Sequence, residues 1–259
     1  MTYEWKGRQY VVIAAGGLGL CLALFNTIER LQLARKPADR ATAATPIEGP
    51  GGFTLVVRDR YLLLIAAMSI LANLVNSTGE YILANVASNF AEVAVPATSH
   101  ADLIGAARDA AISADRREVI KTFYGDFFFW VNLVGFLIQA FLVSRIIGRF
   151  GVRAALFALP VIALGTYGAI GAIGGLALVR AAKIAENAVD YSLQNTVRQA
   201  LFLPTGRAAK YKAKAAIDTF FVRFGDTVSA VLIGLGIHQL GLGAKELAIV
   251  NMGLTAVWI

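Results

Sequence analysis

Six polar or ionisable residues recur at steps of three or four within one apolar stretch of the sequence. They are Arg180, Lys183, Asn187, Asp190, Gln194 and Arg198. This spacing places all six on one face of a helix, while Ala, Val, Leu and Ile occupy its other faces. Because charged side chains are costly within a bilayer, they face the interior of a helical bundle or a water-filled pathway. We name these six residues the polar stripe.

The polar stripe has two possible roles. It could line the pathway of a solute, or it could hold helices together through hydrogen bonds and ion pairs. The second role would pair Lys183 with Glu186, for instance, or Asn187 with a neighbouring helix. We favour the pathway, because six polar positions on one helix exceed what helix packing usually needs.

Two earlier apolar stretches carry shorter polar faces. Asn73, Asn76 and Glu80 share one face of the first stretch, and Asn132 and Gln139 lie two turns apart in the second. We expect Asn76, Glu80 and Asn132 to contribute to the same lining. For Glu80 the alternative is a helix that nears the membrane surface, where polar residues cost less. For Asn132 it is a hydrogen bond between packed helices.

Three lysines begin a later apolar stretch. They are Lys210, Lys212 and Lys214, and Asp218 follows the last of them by one helical turn. Such a cluster at a membrane surface can contact anionic lipid headgroups. It can also point into the mouth of a cavity and bind a phosphate, because an ammonium group makes strong hydrogen bonds to phosphate oxygens. These four residues are therefore candidates for binding an anionic substrate.

The composition indicates that the lipid bilayer is the solvent of this chain. Of its 259 residues, 57% are hydrophobic and only 16% are charged, which is far more apolar than a soluble domain. The net charge of +7 does not form one basic face or tail, so we expect no nucleic-acid partner.

Several motifs that would support other chemistry are absent from the sequence. One cysteine and two histidines, far apart in sequence, give no spacing for a metal site. There is no Gly-x-x-x-x-Gly-Lys-Ser/Thr motif for ATP hydrolysis, and no nucleophile is paired with a base. We therefore expect neither an enzyme nor a bound cofactor.

Apolar runs follow one another along the whole chain, most of them near or above the roughly 20 residues that span a bilayer. The runs occupy residues 10–28, 59–86, 121–147, 152–173, 175–203, 212–240 and 244–259. The last run is still hydrophobic where the sequence stops, which predicts a helix that is cut short there. The predicted fold is an all-α, polytopic transmembrane bundle of about seven helices.

The charges between the runs predict the sidedness and the organisation of the chain. Lys and Arg collect at residues 30–60, 145–153 and 207–214, which the positive-inside rule places in the cytoplasm. The loop at 88–121 mixes both signs and lies opposite. We predict three parts: the last helix of an amino-terminal half (1–29), a flexible cytoplasmic linker rich in proline (30–58) and a six-helix carboxyl-terminal half (59–259). We expect several crossings of a bacterial inner membrane.

One segment carries a family resemblance. Residues 191–230, which read YSLQNTVRQALFLPTGRAAKYKAKAAIDTFFVRFGDTVSA, resemble the ATP:ADP antiporter family of plastids and obligate intracellular bacteria. The portion Lys-x-Lys-x-Lys-Ala-Ala-Ile-Asp is the most specific. Weaker similarity at 73–76 (NLVN), at 125–127 (GDF) and at the Gly-Arg turn extends the resemblance to about residues 58–240. That turn also resembles the cytoplasmic turn of the major facilitator superfamily, to which the family is related in fold.

The resemblance implies a transporter of major facilitator type that exchanges ATP for ADP, or related organic anions, by alternating access. It implies that Lys210, Lys212 and Lys214 neutralise phosphates, and that a missing amino-terminal half of the same transporter completes the site. One position departs from the family. Plastid members carry an acidic residue directly after Asn-Leu-Val, where this sequence has Asn76, with Glu80 one turn later. Either Glu80 substitutes for it or the substrate differs.

Two other functions fit the same sequence. One is a major facilitator transporter for another solute, such as an organic acid or a drug. The other is a membrane anchor or sensor that shares the fold without transporting anything. In that case the polar stripe would pair internally, and no solute would change the thermal stability.

Overall fold

The computed structural model describes residues 2–35 and 46–259. The chain divides into two units, Met1–Glu48 and Gly49–Ile259, and each is described separately. The first contains helix α1 (Thr2–Arg35), which continues past the predicted helix end at residue 28. The predicted linker therefore begins as helix, and its part at residues 36–45 lies outside the described residues.

The second unit begins with a short helix and continues with longer helices joined by tight turns. Its first part comprises α2 (Gly52–Arg58), α3 (Arg60–Ala94), α4 (Ala106–Leu137), a π-helical segment (Ile138–Leu142) and α5 (Val143–Leu156). Its middle part comprises α6 (Ala158–Ala172), α7 (Leu176–Val189), a π-helical segment (Asp190–Gln194) and α8 (Asn195–Ala200). Its last part comprises a π-helical segment (Ala209–Ala213), α9 (Lys214–Ala216), a π-helical segment (Ile217–Phe221), α10 (Val222–Leu240) and α11 (Ala244–Trp258).

The predicted all-α class is confirmed, since residues 2–35 and 46–259 contain helices and turns but no β-strand. Three continuous helical stretches are long and apolar enough to cross a membrane, namely Arg60–Ala94, Ala106–Leu156 and Ala209–Leu240. Helix α6 is also apolar but shorter. The chain is thus a helical membrane protein, and the count of seven spans stays a prediction.

The Gly-Arg turn predicted at residues 148–153 interrupts α5. Gly151 has φ 79° and ψ 168°, a non-helical backbone inside α5. Positive φ is easy for glycine because it has no Cβ atom. The chain therefore leaves one apolar run and begins the next at this glycine.

The predicted loop at 88–121 was wrong over most of its length. Helix α3 continues to Ala94 and α4 begins at Ala106, so that only 95–105 connect them. Two arginines of α4 satisfy the carbonyls of this short connection. Arg108 donates to the carbonyls of Ala97 (2.8 Å) and Ser99 (3.1 Å), and Arg116 donates to that of Val95 (3.0 Å). Hydropathy alone missed both helix ends because their residues are polar yet compatible with helix.

The end of the predicted flexible linker is ordered helix, which corrects the linker prediction. In α2, Val56 is completely buried, and Phe53 packs edge-on against Phe220 with ring centroids 5.0 Å apart. The same helix lies against the segment of the three lysines: a Cβ atom at Gly52 would come within 2.3 Å of the Lys212 carbonyl oxygen. Apolar residues in α2 give this stretch something to bury, which a solvated linker lacks.

Helix α3 lies at the centre of the second unit and contacts α2, α4, α7, α10 and α11. Its buried residues Ile82 and Leu83 join Phe127 of α4 and Leu247 of α11 in the main apolar core. Glycine permits the closest of these crossings. A Cβ atom at Gly225 of α10 would lie 2.9 Å from the Ile70 carbonyl oxygen of α3.

The crossing at Gly225 generates a stability prediction. Gly225→Ala should destabilise the protein, because overpacking costs about 1–3 kcal/mol and outweighs the roughly 1 kcal/mol that alanine gains in helix propensity. Gly234→Ala is the matched control on the same helix, since no atom lies within 4 Å of its added Cβ atom. Thermal unfolding in detergent should show a lower Tm for the first variant and an unchanged or higher Tm for the second. Equal values for both would contradict the close crossing.

Candidate functional site

A completely buried lysine forms the centre of the polar stripe. The Lys183 side chain is 1% exposed, and its Nζ atom lies 3.1 Å from Glu186 Oε1 and 3.3 Å from Glu80 Oε1. Nζ also donates to Asn76 Oδ1 at 3.2 Å. An ammonium group removed from water is tolerated only when charges and hydrogen bonds of this kind replace its hydration.

Two further side chains complete this network. The Tyr167 hydroxyl of α6 donates to Glu186, at 2.7 Å from Oε2 and 2.9 Å from Oε1. Asn187 Nδ2 donates to Glu80 Oε1 at 2.8 Å. Hydrogen bonds are stronger in a low-dielectric interior, so the network rigidly links α3, α6 and α7. We name the following residues the Lys183 cluster: Asn76, Glu80, Tyr167, Lys183, Glu186 and Asn187.

Space for the Lys183 cluster depends on a glycine of α3. A Cβ atom at Gly79 would come within 2.0 Å of the Tyr167 hydroxyl and 2.8 Å of Lys183 Nζ. Only a residue without a side chain leaves room for both polar groups at this point. Around the cluster, the buried residues Val75, Val179 and Ala182 belong to the apolar core, which excludes water from the lysine.

Arg180 opens onto a larger cleft at one end of the cluster. Its guanidinium lies 3.8 Å from Asp126 Oδ2 and 5.5 Å from the centre of the Phe123 ring, a distance that allows a cation–π contact. The cleft has a volume of about 590 Å³ and is also lined by Asp115 and Glu118. Carboxylates therefore outnumber cations at this mouth.

A small polar cavity adjoins the other end of the cluster. Its volume is about 30 Å³, enough for one water molecule, and its lining includes Asn76, Glu186, Asp190 and Arg198. In the described part of the chain, neither Asp190 nor Arg198 forms an ion pair. Arg198 Nε and Gln194 Oε1 are buried without a hydrogen-bond partner there. This end of the stripe thus keeps one buried donor and one buried acceptor without a hydrogen-bond partner among the described residues.

The three lysines differ in their surroundings. Lys214 Nζ forms an ion pair with Asp218 at 2.9 Å, and both side chains are about 30% exposed. Lys212 Nζ donates to the backbone carbonyl of Gly49 at 3.2 Å. Lys210 is half-buried. No carboxylate lies within ion-pair distance of Lys212 among the described residues. The charge of Lys212 is therefore better placed to meet an anion than that of Lys214.

Several candidate residues share an unusual backbone. Asp190 and Gln194, Lys210 and Lys212, and Asp218 all lie in π-helical segments. The wider i→i+5 turn is rare and is found frequently at functional sites. Asn132 lies outside the site, because its side chain is exposed and donates to the Phe128 carbonyl of its own helix at 2.7 Å.

The sequence missed two members of the site. The sequence gives no sign of Tyr167, because a lone tyrosine in an apolar helix has no periodic signal. The spacing of three residues from Lys183 predicts Glu186 as a structural partner of the lysine but not as a member of the site. Within the described residues, no group of three or more His, Cys, Asp or Glu side chains could hold a metal ion.

Comparison with known proteins identifies relatives for half of the chain. A stretch of 160 residues is 27% identical to ADP,ATP carrier protein 1 of Chlamydia pneumoniae, covering 53% of this chain and 31% of the relative. A stretch of 162 residues is 26% identical to ADP,ATP carrier protein 1 of Chlamydia trachomatis, covering 54% of this chain and 31% of the relative. The predicted resemblance to the ATP:ADP antiporter family is confirmed by these relatives, of whose length the matched stretch spans about a third.

Two other comparisons gave no match. No family model matches the sequence. No solved structure matches it either.

The Lys183 cluster generates a second stability prediction. Lys183→Met should destabilise the protein by about 3–5 kcal/mol, because it leaves Glu186 buried without its cation. The double variant Lys183→Met/Glu186→Gln should recover more than half of that loss, since the remaining Glu80 is 37% exposed and can stay hydrated. Chemical unfolding of the single and double variants in detergent measures the coupling. Strictly additive effects would contradict a direct interaction between the two residues.

Proposed function

From the similarity to ADP,ATP carriers, we propose that the chain is part of a membrane transporter that exchanges nucleotides such as ATP and ADP. The transporter acts by alternating access on a bundle of major facilitator type. It crosses a bacterial inner membrane several times, and residues 59–259 form its carboxyl-terminal half. An amino-terminal half of the same transporter is the partner that completes the binding site.

One observation carries the proposal beyond the similarity itself: a column of charged groups runs through an apolar bundle. The column leads from Arg180 through the Lys183 cluster to Asp190 and Arg198. Ionisable residues inside membrane helices mark substrate and ion pathways. A bundle that serves only as a membrane anchor has no function that requires such a column of charged groups.

The hydrogen-bond partners of the polar stripe distinguish a transporter from a membrane anchor or sensor. An anchor would have every polar group of the stripe satisfied internally, and Lys183 is indeed paired. However, Asn187, Gln194 and Arg198 each keep one buried polar atom without a hydrogen-bond partner in the described part of the chain. Unsatisfied groups of this kind cost about 1–3 kcal/mol each. A solute that enters the pathway would satisfy them, which supports transport.

The chemistry of the lysine segment fits an anionic solute. A phosphate chain loses much of its water on entering a cleft, and nearby cations must replace that hydration. Among the described residues, the Lys212 ammonium group is bonded to one carbonyl oxygen, and it can turn towards a phosphate at little cost. Lys214 would first have to leave Asp218. Lys212 is therefore the first candidate for phosphate contact, and Lys214 the second.

Nucleotide uptake measures the roles of these lysines. In proteoliposomes containing the full-length transporter, Lys212→Gln should weaken nucleotide affinity at least about tenfold, because losing a charged partner costs roughly 2–5 kcal/mol. Lys214→Gln should have a smaller effect than Lys212→Gln. The readout is the concentration dependence of labelled ATP uptake into vesicles loaded with ADP.

Arg153→Gln is the matched control, since it also removes one cation near the predicted cytoplasmic surface. A lysine that only contacts lipid headgroups contributes about 1 kcal/mol at most. If all three variants take up ATP like the parent, the lysine segment is a topology signal and not a binding site. If the parent takes up no nucleotide at all, the proposed function is wrong.

A further inference from the structure

An exposed arginine lies near the middle of a membrane-crossing stretch. Arg223 is nearly halfway along the stretch Ala209–Leu240, and its side chain is 82% exposed. Because the hydrocarbon layer of a bilayer is about 30 Å thick, this guanidinium group lies too deep to reach a membrane surface, as arginines near helix ends do. An arginine at this depth is costly in lipid. The helix face that carries it therefore meets water or a polar partner.

Helix α10 has two exposed faces that differ in their chemistry. Arg223 and Thr227 share one face, which we name the arginine face, and Phe224, Val231 and Leu235 share the other. The two faces are about a quarter turn apart. Lipid can cover the aromatic and aliphatic face, whereas the arginine face needs polar surroundings. Helix α10 therefore lies at a boundary between lipid and a polar region.

The carboxylate beside Arg223 is held by another helix. Ser77 of α3 donates to Asp226 Oδ1 at 2.7 Å, and the Asn73 amide donates to the same oxygen. The other oxygen, Oδ2, accepts a hydrogen bond from Arg223 Nη1 at 3.2 Å. Asp226 thus connects α3 and α10 without the arginine, and an exposed ion pair at a spacing of three residues stabilises a helix only slightly. Helix packing alone does not explain an arginine at this position.

Most of the Arg223 guanidinium group remains available to a ligand. An arginine has five N–H donors, and Asp226 is the polar partner of this one among the described residues. The planar group presents pairs of parallel N–H donors, which match two oxygens of a phosphate group. One edge of the group can therefore stay on Asp226 while another edge binds an anion.

We propose that Arg223 is a phosphate-binding residue of the substrate pathway and holds a phosphate group of the nucleotide near the midplane of the membrane. This proposal rests on the proposed transport function, because substrate sites of two-halved transporters lie near the midplane between the halves. The arginine face is then the wall that the carboxyl-terminal half presents to a water-filled pathway. Lys212, near one end of the same stretch, meets the phosphate first, and Arg223 receives it halfway across.

A packed helix of the amino-terminal half is the alternative occupant of the arginine face. Such a helix would have to supply an acceptor for the guanidinium group, although Asp226 already provides one carboxylate. A phosphate group brings several acceptor oxygens at once, as the remaining N–H donors require. The contacts of Arg223 therefore favour a phosphate.

Cysteine labelling at Thr227 tests the proposal while Arg223 stays in place. Thr227 is exposed one helical turn beyond the arginine. The full-length transporter, with its native cysteines replaced by serine, is reconstituted in proteoliposomes and treated with a water-soluble thiosulfonate. Thr227→Cys should react, and saturating ATP or tripolyphosphate should slow the reaction, while adenosine should not. Phe224→Cys is the matched control on the apolar face, and it should not react, because a thiol in lipid forms no thiolate.

Variants of the arginine then measure its contribution to binding. In the Thr227→Cys protein, Arg223→Gln should raise the ATP concentration that gives half protection at least about tenfold, because a charged partner of the phosphate is lost. Arg223→Lys keeps the charge but not the paired donors, so its effect should be smaller. Arg117→Gln is the matched control, since it removes another exposed arginine, and it should leave this concentration unchanged. The KM of ATP exchange should follow the same order.

Each other outcome overturns a defined part. If Thr227→Cys does not react, protein or lipid covers the arginine face and the proposal is wrong. It is also wrong if neither ATP nor tripolyphosphate slows the reaction, or if Arg223→Gln protects at the same concentration as the parent. In these cases ATP exchange by the parent would still support the transport proposal. If the parent exchanges no ATP, but tripolyphosphate protects Thr227→Cys and Arg223→Gln weakens that protection, the transport proposal is wrong and the phosphate site stands.

Discussion

The burial of Lys183 is the interaction on which the rest of the site depends. An ammonium group without water needs carboxylates, and Glu80 and Glu186 supply them at 3.3 and 3.1 Å. These partners come from α3 and α7, so the two helices must meet at this depth. The meeting leaves no room for a side chain at residue 79, which is glycine. One buried charge thus determines helix contacts, a glycine position and the place of the Tyr167 hydroxyl.

Local helix geometry explains where a period of 3.6 residues no longer predicts the directions of the side chains in the polar stripe. The 3.6-residue period holds from Arg180 to Asn187, within α7. At Asp190 the backbone enters a π-helical segment that extends to Gln194. Each wide turn inserts extra backbone and rotates the following side chains. Arg198 therefore lines the small cavity beside Asp190, while the Gln194 amide oxygen is buried without a partner.

The sequence predicts the helices better than it predicts their ends and their partners. Apolar runs indicated α3, α6, α7 and α10, because burial in lipid needs continuous hydrophobic length. Helix ends were missed where polar residues continue the helix beyond the membrane, as at Ala94 and Ala106. The lining face of α7 could be predicted from spacing. Its partner Tyr167 could not be predicted, because a contact between separate helices depends on how they pack and does not affect the local periodicity of the sequence.

The two ends of the unit present opposite charge to an anion. Asp115, Glu118 and Asp126 surround Arg180 at the mouth near the carboxyl end of α3, whereas the three lysines lie beside α2, which precedes the amino end of α3. In the proposed transporter, an anion would therefore be attracted to the lysine end and repelled at the carboxylate mouth. Between them, Lys183 is fully occupied by Glu80 and Glu186, so it offers an anion no free charge while that pairing lasts. In the proposed transport, an anion could therefore use the charge of Lys183 only after one of these carboxylates had moved away. Glu80 is the one whose exposure permits it, since Glu186 is enclosed by the Tyr167 hydroxyl and the lysine itself.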